Sequence, residues 1–334
     1  MRITRFFDYS AISFERLGDR CLMVIRTSRR IASGESPQFR RRELLIASGA
    51  ATLALFTASR GQSKQPVGKH LEEEQPGNHA LRLCVDRFLP PERLEEGLAA
   101  AVKEDRENDV LRVFRSTRAV DKPAPVGTPK AAIAYAKKWA QNRVLKIKFL
   151  GGQAEVRKKV QQHAEKWMKY VNITFQFVAT GPAEIRIAFD QTVGSWSFLG
   201  TDNLTIPTER PTMNYGWLDP DSDEPTYSSV VLHEFGHMLG MIHEHQSPAG
   251  GIRWNRQRVI DDCWRTQGWD AEQVQRQIFD RYPREQTQFT GLDPTSIMMY
   301  PFPKEWSLDG TGTPWNTKLS ALDVDFMSRQ YPKA

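Results

Sequence analysis

"HEFGHMLGMIHEHQSP", residues 233–248, gathers four of the chain's seven histidines into one short run. In "YSSVVLHEFGHMLG", Val231, Leu232, Phe235 and Leu239 are apolar positions, and the pattern predicts a helix that starts near Ser228 or Ser229. Residues i and i+4 share a helical face, so His233 and His237 project side by side. Their imidazoles can reach one zinc ion at Zn–N distances of about 2.0–2.1 Å. Glu234 stands beside the ligand but out of its line, where it can act as general base for a zinc-bound water. Gly240 permits a left-handed turn that brings His243 back as a third ligand. Three protein ligands leave the fourth tetrahedral position open, which marks a catalytic zinc site rather than a structural one. His245 is a competing third ligand, less well spaced than His243.

On the N-terminal side of the motif, "AAIAYAKKWAQ" (131–141) reads as a helix and "LKIKFL" (145–150) alternates as a strand does. Val156, Val160, Ala164 and Trp167 recur at helical spacing, with His163 a surface or core-edge histidine inside that helix. "NITFQFV" (172–178) and "EIRIAF" (184–189) are further strands; "GSWSFLG" (194–200) and "PTMNYGW" (211–217) are short ones. This order implies a mixed α/β layer. The acidic run Asp219, Asp221, Asp223 and Glu224 reads as a solvated loop before the helix, without the loop geometry of a calcium site.

The histidine motif resembles that of the metzincins, zinc endopeptidases marked by HExxHxxGxxH, and most of all their astacin-like branch, in which a glutamate follows the third histidine as Glu244 does here. "TSIMMYP" (295–301) resembles the family's Met-turn. The resemblance implies that Met298 lies beneath the zinc and that Tyr300 stabilises the oxyanion. "EIRIAFDQTVGSWSFLG" resembles the edge-strand region where an extended substrate adds as a strand, which assigns Ser195, Trp196 and Ser197 to substrate binding. "KLSALDVDFMSRQYP" resembles the family's C-terminal helix, started by Ser320 and Asp323. The fold implied is α+β: a metzincin-like zincin with a twisted mixed sheet, an active-site helix above the cleft, and an irregular C-terminal half ending in a helix. The chain departs from animal-type members in "HEHQSPAGGIRWN" after the motif, in lacking the family's two disulfides, and in showing no FxGD-type latency motif upstream.

Residues 128–334 are therefore the expected zinc metallopeptidase domain. Residues 61–127 read as a pro-segment or linker with one helix, opened by Pro90 and Pro91 and carrying Leu94, Leu98 and Val102 on one apolar face. "DKPAPVGTPK" (121–130) is its Pro-rich boundary. Residues 1–60 are an N-terminal extension and signal segment. Arg40, Arg41 and Arg42 precede an apolar stretch from Leu44 to Ala58, which resembles a twin-arginine signal and predicts export, periplasmic or secreted, against a cytoplasmic alternative. The long lead-in means either that the start lies downstream, at Met23, or that residues 1–39 are a disordered extension.

The formal charge is +6, but residues 1–45 hold ten arginines against five acidic residues, so the remainder carries about +1. That near-neutral body argues against a nucleic-acid partner. No apolar run is long enough for a stable membrane span. The partner expected is a protein or peptide substrate, and the cofactor one catalytic Zn2+. The rival from another class is a noncatalytic protein-binding module with a zinc-stabilised fold. Cys21, Cys84 and Cys263 are too few for a disulfide framework; Cys84 and Cys263 either pair or remain buried thiols.

Overall fold

The computed structural model describes residues 10–17, 20–27, 81–109, 132–134, 136–248, 250–282, 287–289 and 291–333. The signal-like stretch 40–60 and the boundary 121–130 lie outside them. The chain divides into two units, Met1–Glu73 and Glu74–Ala334. In the first, β1 (Ser10–Leu17) and β2 (Arg20–Thr27) form an antiparallel hairpin, where the sequence offered a downstream start or a disordered extension.

The first described residues of the second unit are the irregular run 81–90, followed by α1 (Leu94–Glu104). The helix forms where the prolines predict it, but its buried positions are Gly97 and Ala101, while Leu94 and Leu98 are exposed. The small face wins because Leu89 packs where a side chain on Gly97 would stand. The helix expected over 131–141 is absent. Residues 132–134 are instead strand β3 (Ala132–Ala134), and residues 136–140 run as a turn and irregular backbone. Other elements claim the backbone there. The Lys138 N–H donates to the Asn108 side chain, the Trp139 N–H to the Tyr331 hydroxyl and the Ala140 N–H to Glu104. Trp139 is fully buried, its indole donating to the Met238 carbonyl at the end of the helix that bears the histidines.

β4 (Arg143–Phe149) buries Leu145 and Ile147 by alternation. α2 (Ala154–Ala164) lays Val156, Val160 and Ala164 on the same core. β5 (Ile173–Phe177), β6 (Ile185–Ala188), β7 (Ser195–Ser197) and β8 (Met213–Tyr215) complete a five-stranded sheet of order β5-β4-β6-β8-β7. All pairings are parallel except β7 with β8, which leaves β7 as an antiparallel edge strand.

α3 (Glu224–Met238) carries the histidine motif. It begins well before Ser228, because the Asp223 side chain accepts from the Thr226 N–H and Pro225 occupies the first turn. The acidic run is consumed locally. Asp219 accepts from the Asp221 N–H and the Ser222 hydroxyl, and Glu224 meets His163 and Lys159. His163 thus sits at the core edge as a hydrogen-bond partner of Glu224, with burial lowering its pKa. Beyond α3, α4 (Arg256–Gln267), α5 (Ala271–Val274) and a π-helical turn (Gln275–Phe279) surround a second core containing Val259, Cys263, Ile278, Phe302 and Trp306. β9 (Thr287–Phe289) pairs with β3, and α6 (Ala321–Gln330) closes the chain behind a capping box of Ser320 and Asp323.

Candidate metal centre and cleft

α3 places His233 and His237 one turn apart, and Gly240, at φ +100°, turns the chain back. His243 then arrives with its Nε2 3.1 Å from that of His237, which is itself 3.1 Å from that of His233. Three ligands of a tetrahedral ion at about 2.0–2.1 Å stand roughly 3.3 Å apart, so these nitrogens are spaced for one small cation. The outer nitrogens fix the tautomers. His233 Nδ1 donates to the Ile297 carbonyl and His237 Nδ1 to the Met241 carbonyl, each at 2.8 Å. His243 Nδ1 lies 3.1 Å from an Asp86 carboxylate oxygen and 3.4 Å from Gln246 Oε1. With Nδ1 protonated on each ring, three lone pairs aim at one point, an arrangement that a metal ion relieves. Burial, followed for His237 and His243 by the neighbouring rings, lowers all three pKa values and keeps the imidazoles neutral and ready to ligate.

The floor is set by residues 295–301. Met298 is fully buried, and a Cβ on Gly236 would stand 2.4 Å from its sulfur, so a glycine inside the motif is needed for Met298 to pass beneath α3. Asp323 anchors this turn, accepting from the Ser296 hydroxyl and the Ile297 N–H while it also caps α6. Glu244 binds it from the other side: its N–H donates to the Met298 carbonyl, and its Oε1 accepts from the Asp293 N–H. Its other oxygen, Oε2, is buried without a partner. Burial, with negative Asp323 and Asp293 nearby, pushes the Glu244 carboxyl up to about 8.

Glu234 is fully buried beside the histidines, and burial raises its pKa well above the ordinary carboxylate range. Its Oε2 lies 3.5 Å from the thiol of Cys84. That cysteine is the participant the sequence did not reveal. Cys84 Sγ and the ligating nitrogens of His233, His237 and His243 all lie within 4.8 Å of one another, and all four residues are buried. Both Cys84 and Cys263 are free thiols. A lone cysteine in "LRLCVDRF", about 150 residues before the histidine motif, forms no metal-binding motif with it by spacing.

Residues around Cys84 fill the cleft. Tyr300 donates its hydroxyl to the Cys84 carbonyl. Arg87 bridges to Phe198 in parallel with the edge strand, and with α3 behind, Ser195, Trp196 and Ser197 are all buried. His245 is no fourth histidine at the centre. Its Nε2 donates to the Gln277 carbonyl, its ring packs 4.2 Å from that of Tyr300, and burial pushes its pKa down to about 3. The sequence-assigned residues are thus brought together: the three histidines, Glu234 and Tyr300 around one point, and β7 along one wall.

A model of the astacin peptidase family matches residues 132–313, more than half of the chain. Among solved structures, one of myroilysin is 39% identical with a TM-score of 0.60, covering 61% of this chain and 99% of its own. A second myroilysin crystal structure is 38% identical with a TM-score of 0.48, covering 59% and 86%. High choriolytic enzyme 1, a hatching enzyme zinc-protease from the medaka fish Oryzias latipes, is 16% identical with a TM-score of 0.40, covering 60% and 96%. The comparison with curated proteins found no match.

Proposed function

This chain belongs to the astacin family of metallopeptidases, and we propose that it is an exported zinc endopeptidase whose full-length form is latent. The observation that carries the reading is the convergence of three imidazole nitrogens with fixed outer partners, with the Glu234 carboxyl beside them. His233, His237 and His243 hold the ion. A zinc ion held there would supply a Lewis acid for a carbonyl oxygen and would lower the pKa of water toward neutrality. The remaining work belongs to the chain's own groups. Glu234 takes the water's proton and passes it to the leaving amine, and burial, by raising its pKa, strengthens its hold on that proton. Tyr300, which already donates to a peptide carbonyl at this point, does the same for the oxygen on which charge develops. An extended substrate adds to β7 along Ser195, Trp196 and Ser197.

Latency arises from the segment that lies in that cleft. Arg87 bridges to Phe198 at the end of β7 and lies over Trp196, Cys84 stands with the three ligating nitrogens, and Asp86 leans on His243. Residues 61–127 then act as an inhibitory pro-segment, with Cys84 as the fourth donor that excludes water. Resemblance to the astacin-like branch assigns the partnerless oxygen of Glu244 to the new N-terminus made by processing. Export rests on the twin-arginine-like pattern of 40–60. Among the described residues, no helix is long and apolar enough to cross a membrane.

The test uses full-length protein before and after limited proteolysis, as wild type and Glu234→Gln, read for zinc content and casein cleavage. The expected result is about one zinc per chain in both and cleavage by processed wild type alone. Absence of zinc, or equal cleavage by processed Glu234→Gln, would overturn the reading.

A further inference from the structure

Two walls grip the chain lying in the cleft. On the sheet side, Arg87 bridges to Phe198 and sets its guanidinium 4.6 Å above the ring of Trp196, with Phe198 edge-on beside it. On the opposite side, Gln277 in the π-helical turn clasps one residue's backbone. Its Oε1 accepts from the Asp86 N–H at 2.9 Å, and its Nε2 donates to the Asp86 carbonyl at 3.4 Å. Gln277 is 5% exposed, and its own carbonyl accepts from His245, so the π-turn is pinned by the ring that packs on Tyr300.

We propose that Gln277 and Trp196 form a substrate subsite on the N-terminal side of the scissile bond, in which Gln277 clasps the backbone and Trp196 takes a cationic side chain, Arg or Lys. This rests on the peptidase reading above. Both hydrogen bonds of the clasp go to the Asp86 backbone, so neither depends on which residue it holds. A primary amide carries acceptor and donor side by side, and a flip about its last bond serves a chain running in either direction. A strand edge also pairs in both directions. The bound segment runs parallel to the edge strand and leaves the metal point at Cys84, reaching Trp196 three residues later. A substrate running antiparallel passes the same walls before it reaches that point. With the substrate antiparallel to β7, as the proposal has it, the place of Arg87 falls two or three residues before the bond cut. Trp is the strongest aromatic partner for a cation, and the preference it gives is roughly three- to tenfold.

The experiment takes the zinc-loaded full chain, activated by limited proteolysis, and a peptide series bearing Arg, Lys, Ala or Glu two and three residues before the scissile bond. Arg and Lys should exceed Ala in kcat/KM by roughly three- to tenfold, chiefly through KM, and Trp196→Leu should narrow that ratio. In the unprocessed chain, Gln277→Leu should speed hydrogen exchange at the Asp86 amide, a readout independent of activity. Cleavage indifferent to the residue, or unchanged exchange at Asp86, would overturn the subsite alone. No cleavage of any peptide would overturn the peptidase reading and the subsite with it.

Discussion

Single residues divide into those whose role follows from spacing and those whose role comes only from folding. His233, His237 and Glu234 were legible because a helix fixes which side chains share a face, and His243 because Gly240 fixes the turn. Gly236 was not, since its reason is a sulfur that arrives from residue 298. Gly236→Ala should cost about 1–3 kcal/mol through overpacking, read as a lower urea midpoint. Glu244 yields a pH prediction. Its folded pKa of about 8 lies above the ordinary carboxylate value of 4.5, so between those values the unfolded chain is ionised where the folded chain holds a proton. Its contribution to stability is complete below about 4.5 and is lost as pH rises toward about 8. Glu244→Gln should flatten the decline in urea midpoint across that window; an unchanged slope would place the titration elsewhere.

At the scale of elements, β4, β5, β6 and α2 follow their apolar periodicity, because each buries one face against the same core. Local periodicity does not decide the structure where backbone partners are distant in sequence. Residues 136–140 have helical propensity, but Asn108, Glu104 and Tyr331 take their N–H groups and Trp139 fills the space under α3. In α1 the pattern indicated Leu94 and Leu98 as the packing face, whereas close approach selected the small residues. The most exposed dependence between elements is Asp323, which joins the α6 cap to the turn beneath the histidines. Asp323→Ala leaves buried donors unmatched and should cost about 2–4 kcal/mol, lowering the urea midpoint and the zinc retained at equal free metal. Full zinc retention would show that the turn holds its place without that anchor.

Over the whole molecule, the metallopeptidase domain was legible from a motif of eleven residues, but the approach of Cys84 to that motif was not, because the contact joins residues 150 apart in the chain. Cys84→Ala in the unprocessed chain should raise casein cleavage above that of unprocessed wild type, although Tyr300, Gln277 and Trp196 still hold the segment. Zinc X-ray absorption on the full-length chain is the sharpest test of a cysteine-capped metal centre. Three nitrogen scatterers at about 2.0–2.1 Å and one sulfur at about 2.3 Å are expected, with the sulfur lost after processing and in Cys84→Ala. A shell of nitrogen and oxygen alone in the unprocessed wild type would contradict a zinc held shut by Cys84.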